Sequence, residues 1–261
     1  MQDITYERAL EMDQMLSQAE FTRILFSEMM GLLSLRGDEL ALDVGTGTGH
    51  LAEVLAPKLP RGYIVGIDGS SSMLRVAREK ALRQELPNYF VLKSKAEDLF
   101  FRDLAFDLAF CVRAMHHFED PLKALQEIGR VLKKDGRLAL VEPLGPRDKE
   151  LRQVLTEAFQ MAHPDHKVYS AEEVDGLIEQ SGFHEEKGTE VVLALHQDGI
   201  QGVPMGPHYL QAYQIIKSRN SKELLQKFER EIFQVSEGKE GIHIRGSLTF
   251  LVSLLVKHPA R

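Results

Sequence analysis

The chain has 261 residues, of which 43 % are hydrophobic and 27 % charged, a balance that excludes a disordered or fibrous protein. Its 32 Lys and Arg against 39 Asp and Glu leave a net charge of -7, which argues against a dedicated nucleic-acid binder with a basic stripe. The single cysteine, Cys111, permits neither an intrachain disulfide nor a cysteine-based zinc site.

The start, Met1-Gln2-Asp3-Ile4, carries no basic stretch followed by an apolar run, so no secretory leader is read there. The longest apolar stretch, within Leu248–Val256, falls short of the roughly 20 residues of a spanning helix. The expectation is a cytoplasmic protein without a membrane span, monomeric or homodimeric.

Residues 1–36 read as N-terminal helices, with Phe21, Ile24, Leu25, Met29, Leu32 and Leu33 at helical spacing. Gly37-Asp38 ends them. A buried strand follows over Glu39–Val44, then a helical face at Leu51, Val54 and Leu55, broken by Pro57, Pro60 and Gly62. Tyr63–Asp68 reads as the second strand, Ser71–Glu85 as a helix, Tyr89–Leu92 as the third strand and Phe106–Val112 as the fourth. Pro121 opens a helix striped by Leu122, Leu125, Ile128, Val131 and Leu132. Lys134-Asp135-Gly136 reads as its C-terminus with a left-handed glycine, and Arg137–Glu142 as a fifth strand stopped by Pro143.

Beyond Pro143 the rhythm loosens. Helices are expected over Glu150–Ala162 and Ala171–Ser181, closed by Gly182, and strands over Val191–Leu195 and Ser247–Val256. Between those strands, residues 197–246 read as a helical insertion with helices at 208–217 and 221–236. Alternating strands and helices predict an α/β fold: a Rossmann-like doubly wound sheet, helices on both faces, ligands at the carboxyl ends of the strands. The chain is read as one domain: N-terminal helices, a core over 38–145, and an acceptor-side half over 146–261.

The segment Asp43-Val44-Gly45-Thr46-Gly47-Thr48-Gly49 joins the first strand to the first core helix. Glycines there allow positive φ and close backbone approach to a ligand, and the N–H groups at the helix start favour negative charge. Asp68, at the end of the second strand, is a carboxylate able to accept hydrogen bonds from both hydroxyls of a ribose. Together they point to a nucleoside-bearing cofactor. Gly47-x-Gly49-x-x-Ala52 also fits a dinucleotide fingerprint. Asp43, however, puts a carboxylate beside the loop, repelling a pyrophosphate and welcoming a cationic amine.

This segment resembles the first motif of class I S-adenosylmethionine-dependent methyltransferases. The resemblance continues through Asp68-Gly69-Ser70-Ser71-Ser72-Met73-Leu74, Lys95-Ala96-Glu97-Asp98-Leu99, Phe106-Asp107-Leu108 and Glu127–Gly136. It covers roughly 38–145 and is nearest to the small-molecule branch that includes the ubiquinone and menaquinone methyltransferases. It implies S-adenosylmethionine as cofactor and a sheet of seven strands, the last antiparallel. It also implies that Asp43 faces the methionyl amine, that Gly45, Thr46 and Gly47 pass under the methionine and ribose, and that Asp68 holds the ribose hydroxyls. Gly69 and Met73 would lie against the adenine, Ala96 and Glu97 at its edge, and the backbone near Cys111 and Arg113 at the methionine end. Lys95 departs from the pattern, since a lysine cannot accept a hydrogen bond from the adenine amino group where the family often has an aspartate.

Methyl transfer from a sulfonium is a direct displacement, so alignment matters most and a base is needed only where the acceptor loses a proton. His116 and His117, after the fourth strand, are the candidate catalytic residues, set against packing or solvated roles. Arg113 suits an acidic group or a structural ion pair, and Glu142 the acceptor or a turn. His163, His166 and Tyr169 lie where acceptor walls form, and no metal site is expected because nothing completes a ligand set around His163-x-x-His166. Cys111 reads as a small buried residue. Tyr213-x-x-x-Lys217 matches a dehydrogenase pair by spacing alone, without that family's glycine loop. The reading is methyl transfer to a small-molecule acceptor, with a nicotinamide-dependent oxidoreductase and a non-catalytic cofactor-binding module as alternatives.

Overall fold

A computed structural model describes residues 4–161, 164–198, 206–238 and 241–257. Two helices open it, α1 (Tyr6–Gln18), capped by the Thr5 hydroxyl, and α2 (Glu20–Leu32). They part at Ala19, whose extended backbone (φ -75°, ψ 115°) ends one helix and starts the next.

The core then alternates. Strand β1 (Leu40–Val44) leads to α3 (His50–Leu55), β2 (Tyr63–Asp68) to α4 (Ser71–Arg83), then β3 (Tyr89–Lys93) and β4 (Phe106–Val112) follow. A single 3-10 turn at Met115–His117 precedes α5 (Pro121–Val131) and β5 (Leu132–Leu144). Side-chain caps set the helix starts: the Ser70 hydroxyl accepts from the Met73 N–H, and Asp120 accepts from the Lys123 N–H just ahead of Pro121. The second half carries α6 (Lys149–Gln160), α7 (Ala171–Gln180), β6 (Phe183–Asp198), α8 (Gly206–Ser218), α9 (Lys222–Glu231), β7 (Phe233–Gly238) and β8 (Gly241–Lys257).

Among the described residues the strands form one eight-stranded sheet in the order β3-β2-β1-β4-β5-β8-β6, with β7 paired to β8. Strands β2, β1, β4 and β5 run parallel to their neighbours along β3-β2-β1-β4-β5. In that register Leu42 lies opposite Val65 and Ala109, and all of Ala41, Leu42 and Val44 are buried. Because β1 is flanked by β2 on one side and β4 on the other, the winding reverses there, and the crevice lies at the carboxyl ends of these strands.

The expected architecture is present with three local differences. Gly136 is not left-handed: it sits within β5, where the pairing with β4 jumps from Phe106–Leu132 to Leu108–Arg137. A Cβ at Gly136 would stand 3.0 Å from the Lys133 backbone, a tight fit that favours glycine at the bulge. Strand β5 also runs through Pro143 to Leu144. The helix expected to reach 236 ends at Glu231, and 233–238 instead pairs antiparallel with 241–246 as the extra strand β7. His163, Ala162 at the expected end of α6, Met1–Asp3, and 199–205 and 239–240 of the expected insertion lie outside the described residues.

The chain packs as two compact units, Met1–Glu142 with Asp175–Thr189 and Val252–Arg261, and Pro143–Val174 with Glu190–Leu251. In the first, Phe106, Phe110 and Phe183 are large, fully buried side chains. In the second, the core gathers Phe159, Phe228 and Phe233, with Tyr209 edge-on to Phe233 at 4.8 Å between ring centres. No helix among the described residues is long and apolar enough to cross a membrane.

Truncating Phe110 to Ala in the middle of β4 is expected to cost about 3–5 kcal/mol of stability, measured by denaturant unfolding of the two proteins.

Candidate functional site

The loop between β1 and α3 turns on itself at once. Gly45, Gly47 and Gly49 have φ of 75°, 53° and 84°. The N–H groups of Gly45 and Thr46 both donate to the Ile67 carbonyl at 2.9 Å, fastening the loop to β2. At Gly45 only glycine fits, since a Cβ would lie 2.4 Å from that of Ala114.

Asp43, 2 % exposed, lies beneath this loop. Thr46 donates its hydroxyl to Asp43 Oδ2 at 2.6 Å, and the Tyr89 hydroxyl, 2.8 Å from Thr46 Oγ1, donates to Thr46 in turn. Gly66 on β2 makes room for this: a Cβ there would stand 2.7 Å from Thr46 Oγ1. Among the described residues Asp43 has no ion-pair partner. Burial pushes its carboxyl up to about 7, the Thr46 hydrogen bond opposing and the nearby Asp68 charge adding to the rise.

Asp68, one residue past the end of the β1–β2 pairing, accepts from the Gly47 N–H at Oδ2 (3.0 Å) and from the Ser70 N–H at Oδ1 (2.8 Å). It therefore ties the glycine loop to the start of α4. Gly69 borders open space, and Met73 occupies the first turn of α4 with its N–H on the Ser70 hydroxyl. Ala96 is buried. Glu97 is engaged locally: its Oε1 accepts from the N–H groups of Glu119 and Asp120 at 2.8 and 3.4 Å. Lys95 pairs with Glu119 at 3.0 Å. The 95–98 turn is thus bound to the segment before α5.

Cys111 is fully buried and still in the ladder, opposite Val44 on one side and Leu140 on the other. Burial pushes its thiol well up, which removes it as a nucleophile. The chain leaves the sheet at Arg113, a non-glycine residue with φ of 54° whose N–H donates to the Val141 carbonyl. The Arg113 guanidinium lies 4.8 Å over the Phe21 ring. Burial pulls its pKa down to about 10, against the attraction of Glu142.

The histidines differ. His116 is buried, and its Nδ1 lies 2.5 Å from Glu142 Oε1 at the end of the first unit's part of β5. His117 is half-buried, with its ring centre 4.2 Å from that of His116. Glu142 is fully buried, and its Oε2 has no hydrogen-bond partner among the described residues. Burial holds the Glu142 carboxyl well above the usual carboxylate range, although the His116 and Met115 backbone and the Arg113 charge favour ionisation. Glu142 therefore meets His116 rather than capping a turn.

Sequence reasoning did not find Tyr89, Ala114 or Gly66, which hold Thr46 and Gly45 in place, nor the pairing of His116 with Glu142. The available signal was the glycine interrupting the apolar run Ile64-Val65-Gly66-Ile67. In the second unit His166 is buried and stacks on Phe159 at 4.3 Å, Tyr169 is buried, and the Lys217 ammonium lies 5.1 Å over the Tyr213 ring.

Residues 42–140 match the methyltransferase-domain family. Over 138 residues the chain is 34 % identical to the uncharacterized methyltransferase YcgJ of Bacillus subtilis, covering 53 % of this chain and 54 % of that protein. Over 138 residues it is 31 % identical to a demethylmenaquinone methyltransferase of Listeria monocytogenes, covering 52 % and 58 %. The aligned region thus spans little more than half the length of these curated relatives. The crystal structure of YcgJ superposes with a TM-score of 0.74 at 25 % identity, over 91 % of this chain and 100 % of that one. A SAM-dependent methyltransferase structure from Aquifex aeolicus superposes with a TM-score of 0.57 at 26 % identity, over 72 % and 94 %.

The raised Asp43 pKa has a definite sign. Folded protein binds a proton here that the unfolded chain releases near 3.8, so stability falls as pH rises from about 4 to about 7 and then levels. Ligand-free Asp43→Asn should therefore melt above the wild type at pH 8, with the gap closing near pH 4; equal melting points at both pH values would contradict it.

Proposed function

We propose that the protein, whose residues 42–140 match the methyltransferase-domain family, binds S-adenosylmethionine and transfers its sulfonium methyl group directly to a small-molecule acceptor. The observation that carries this reading is the buried, cation-less Asp43 beneath a glycine loop that Asp68 also grips. A carboxylate so placed is poorly stabilised until a cation arrives, and the methionyl amine supplies one. Asp68 accepts the Gly47 and Ser70 N–H groups beside the loop, and on this reading its carboxylate also takes the ribose hydroxyls. Gly45, Thr46 and Gly47 form the loop under the methionine and ribose. Gly69 and Met73 line the adenine side and Ala96 its edge, where Glu97 serves by holding the turn. Arg113 and the backbone beyond Cys111 bound the methionine end.

Of the two candidate bases we assign His116. Its Nδ1 shares one proton with Glu142, and with that proton on Nδ1 the imidazole presents the Nε2 lone pair. His117 flanks it. Such a base serves an acceptor that loses a proton on methylation. The relatives named demethylmenaquinone methyltransferase support an aromatic quinol as the first acceptor to test.

Calorimetry is expected to show binding of S-adenosylmethionine and S-adenosylhomocysteine and none of NAD(P)H; the reverse pattern would overturn the reading in favour of an oxidoreductase. Asp68→Ala should weaken S-adenosylhomocysteine binding by about tenfold or more while circular dichroism stays unchanged, as expected for loss of a charged hydrogen-bond acceptor. His116→Ala should lower kcat on a naphthoquinol acceptor by about 10²–10⁴ while S-adenosylhomocysteine affinity holds.

A further inference from the structure

Outside this site, the first unit contains a second set of ionisable groups, half-buried around the buried Lys80, where α1, α3 and α4 meet. Asp13 of α1 lies 2.5 Å from the Lys80 ammonium of α4 and 3.0 Å from Nε2 of His50, the first residue of α3. The other ring nitrogen, Nδ1, lies 3.3 Å from Glu53 Oε2 and 3.2 Å from Lys80 Nζ. Glu53 also takes Lys80 at 3.4 Å and the Gln84 amide at 2.6 Å. Lys80 is 2 % exposed and is enclosed by these partners.

The charge count decides how the set works. Two carboxylates, Asp13 and Glu53, face the Lys80 ammonium and the His50 ring. With His50 neutral, Nδ1 is left to face the Lys80 ammonium and the cluster keeps one net negative charge. With His50 protonated, its charge lies between the Asp13 and Glu53 carboxylates, and the cluster is neutral. Asp13 and Glu53 favour the cationic form and hold the His50 pKa above its ordinary value against burial and the Lys80 charge. The same partners hold the Asp13 carboxyl far below the usual range.

The location links this set to the loop. His50 directly follows Gly49, whose N–H donates to the Thr46 carbonyl, so His50 is the first residue beyond the turn that seats Asp43 and Thr46. Asp13 comes from outside the family-matched segment 42–140. A separate contact seats the other end of α1: the Tyr6 hydroxyl meets Glu79, and the Arg75 guanidinium lies 3.9 Å over the Tyr6 ring.

We propose that Asp13 is a positioning residue for the cofactor loop: acting through His50, it fastens the N-terminal helix to the start of α3, so that tight cofactor retention requires α1 to be docked. This rests on the proposed S-adenosylmethionine function. The clamp is strongest with His50 cationic. Its raised pKa makes that contribution complete below about pH 6.5 and lost as pH rises through the folded value. The charged groups facing His50 are Asp13 from α1, Glu53 from its own helix and Lys80 from α4.

The test measures S-adenosylhomocysteine affinity by calorimetry at pH 6 and pH 9 for the wild type, Asp13→Asn and Asp13→Glu, with hydrogen exchange of the 6–18 amides measured without ligand. Asp13→Asn should bind about tenfold more weakly than the wild type at pH 6, with the ratio narrowing at pH 9, and Asp13→Glu should restore most of the loss. Exchange of 6–18 should be faster in Asp13→Asn at pH 6, and the wild type should lose protection, beyond the intrinsic pH effect, toward pH 9. Wild-type affinity in Asp13→Asn, or a ratio independent of pH, would overturn the proposal. A wild type that binds no S-adenosylhomocysteine yet shows the exchange pattern would overturn the function and leave the clamp; unchanged exchange would overturn the clamp itself.

Discussion

A carboxylate sealed under backbone with a hydroxyl for its partner is a costly charge, and much of the crevice follows from holding Asp43 there. Thr46 must reach back to it, which forces Gly45 into a left-handed turn against Ala114. The same reach brings Thr46 over β2, where a side chain larger than glycine at position 66 would collide. Tyr89 then satisfies the threonine oxygen from β3. Three adjacent strands thus contribute to one hydrogen-bonded chain, and the loop has little freedom to place Asp43 elsewhere.

This chain explains what could be read in advance. Alternating apolar runs and helical stripes are local signals, so the strands from Leu40 to Val112 and the helix after Pro121 matched their expected places closely. The glycine loop and Asp68 were legible because their chemistry is carried by adjacent residues. Tyr89 and Gly66 were not, since each acts through a partner 20 or more positions away that only the sheet register brings near. Gly136 was misread because Lys-Asp-Gly after an apolar stripe fits a helix end, yet the tight bulge in β5 also favours glycine. Residues 233–238 continued a plausible helical pattern until the antiparallel partner at 241–246 decided the matter, a tertiary override of local preference.

The carboxylates at this edge differ in their supply of hydrogen bonds. Asp68 receives two backbone N–H groups. Asp43 has a hydroxyl, and Glu142 has the His116 ring at 2.5 Å and the nearby Met115 and His116 backbone while one of its oxygens stays unpartnered. Burial accordingly pushes Asp43 and Glu142 upward. Asp13 shows the opposite outcome: half-buried and contacted by Lys80 and His50, it stays ionised. Among the described residues a cation stands beside Asp13 and none beside Asp43.

On the proposed function that lack shapes the reaction cycle as well as binding. S-adenosylmethionine carries two positive groups, the amine and the sulfonium, and bringing them beside Asp43 and Asp68 relieves a field that the empty protein must bear. Methyl transfer turns the sulfonium into a neutral thioether, so that part of the attraction disappears with the chemistry while the amine stays paired. A base such as His116 then completes the step by taking the acceptor's proton, with Glu142 keeping the imidazole oriented as its charge changes.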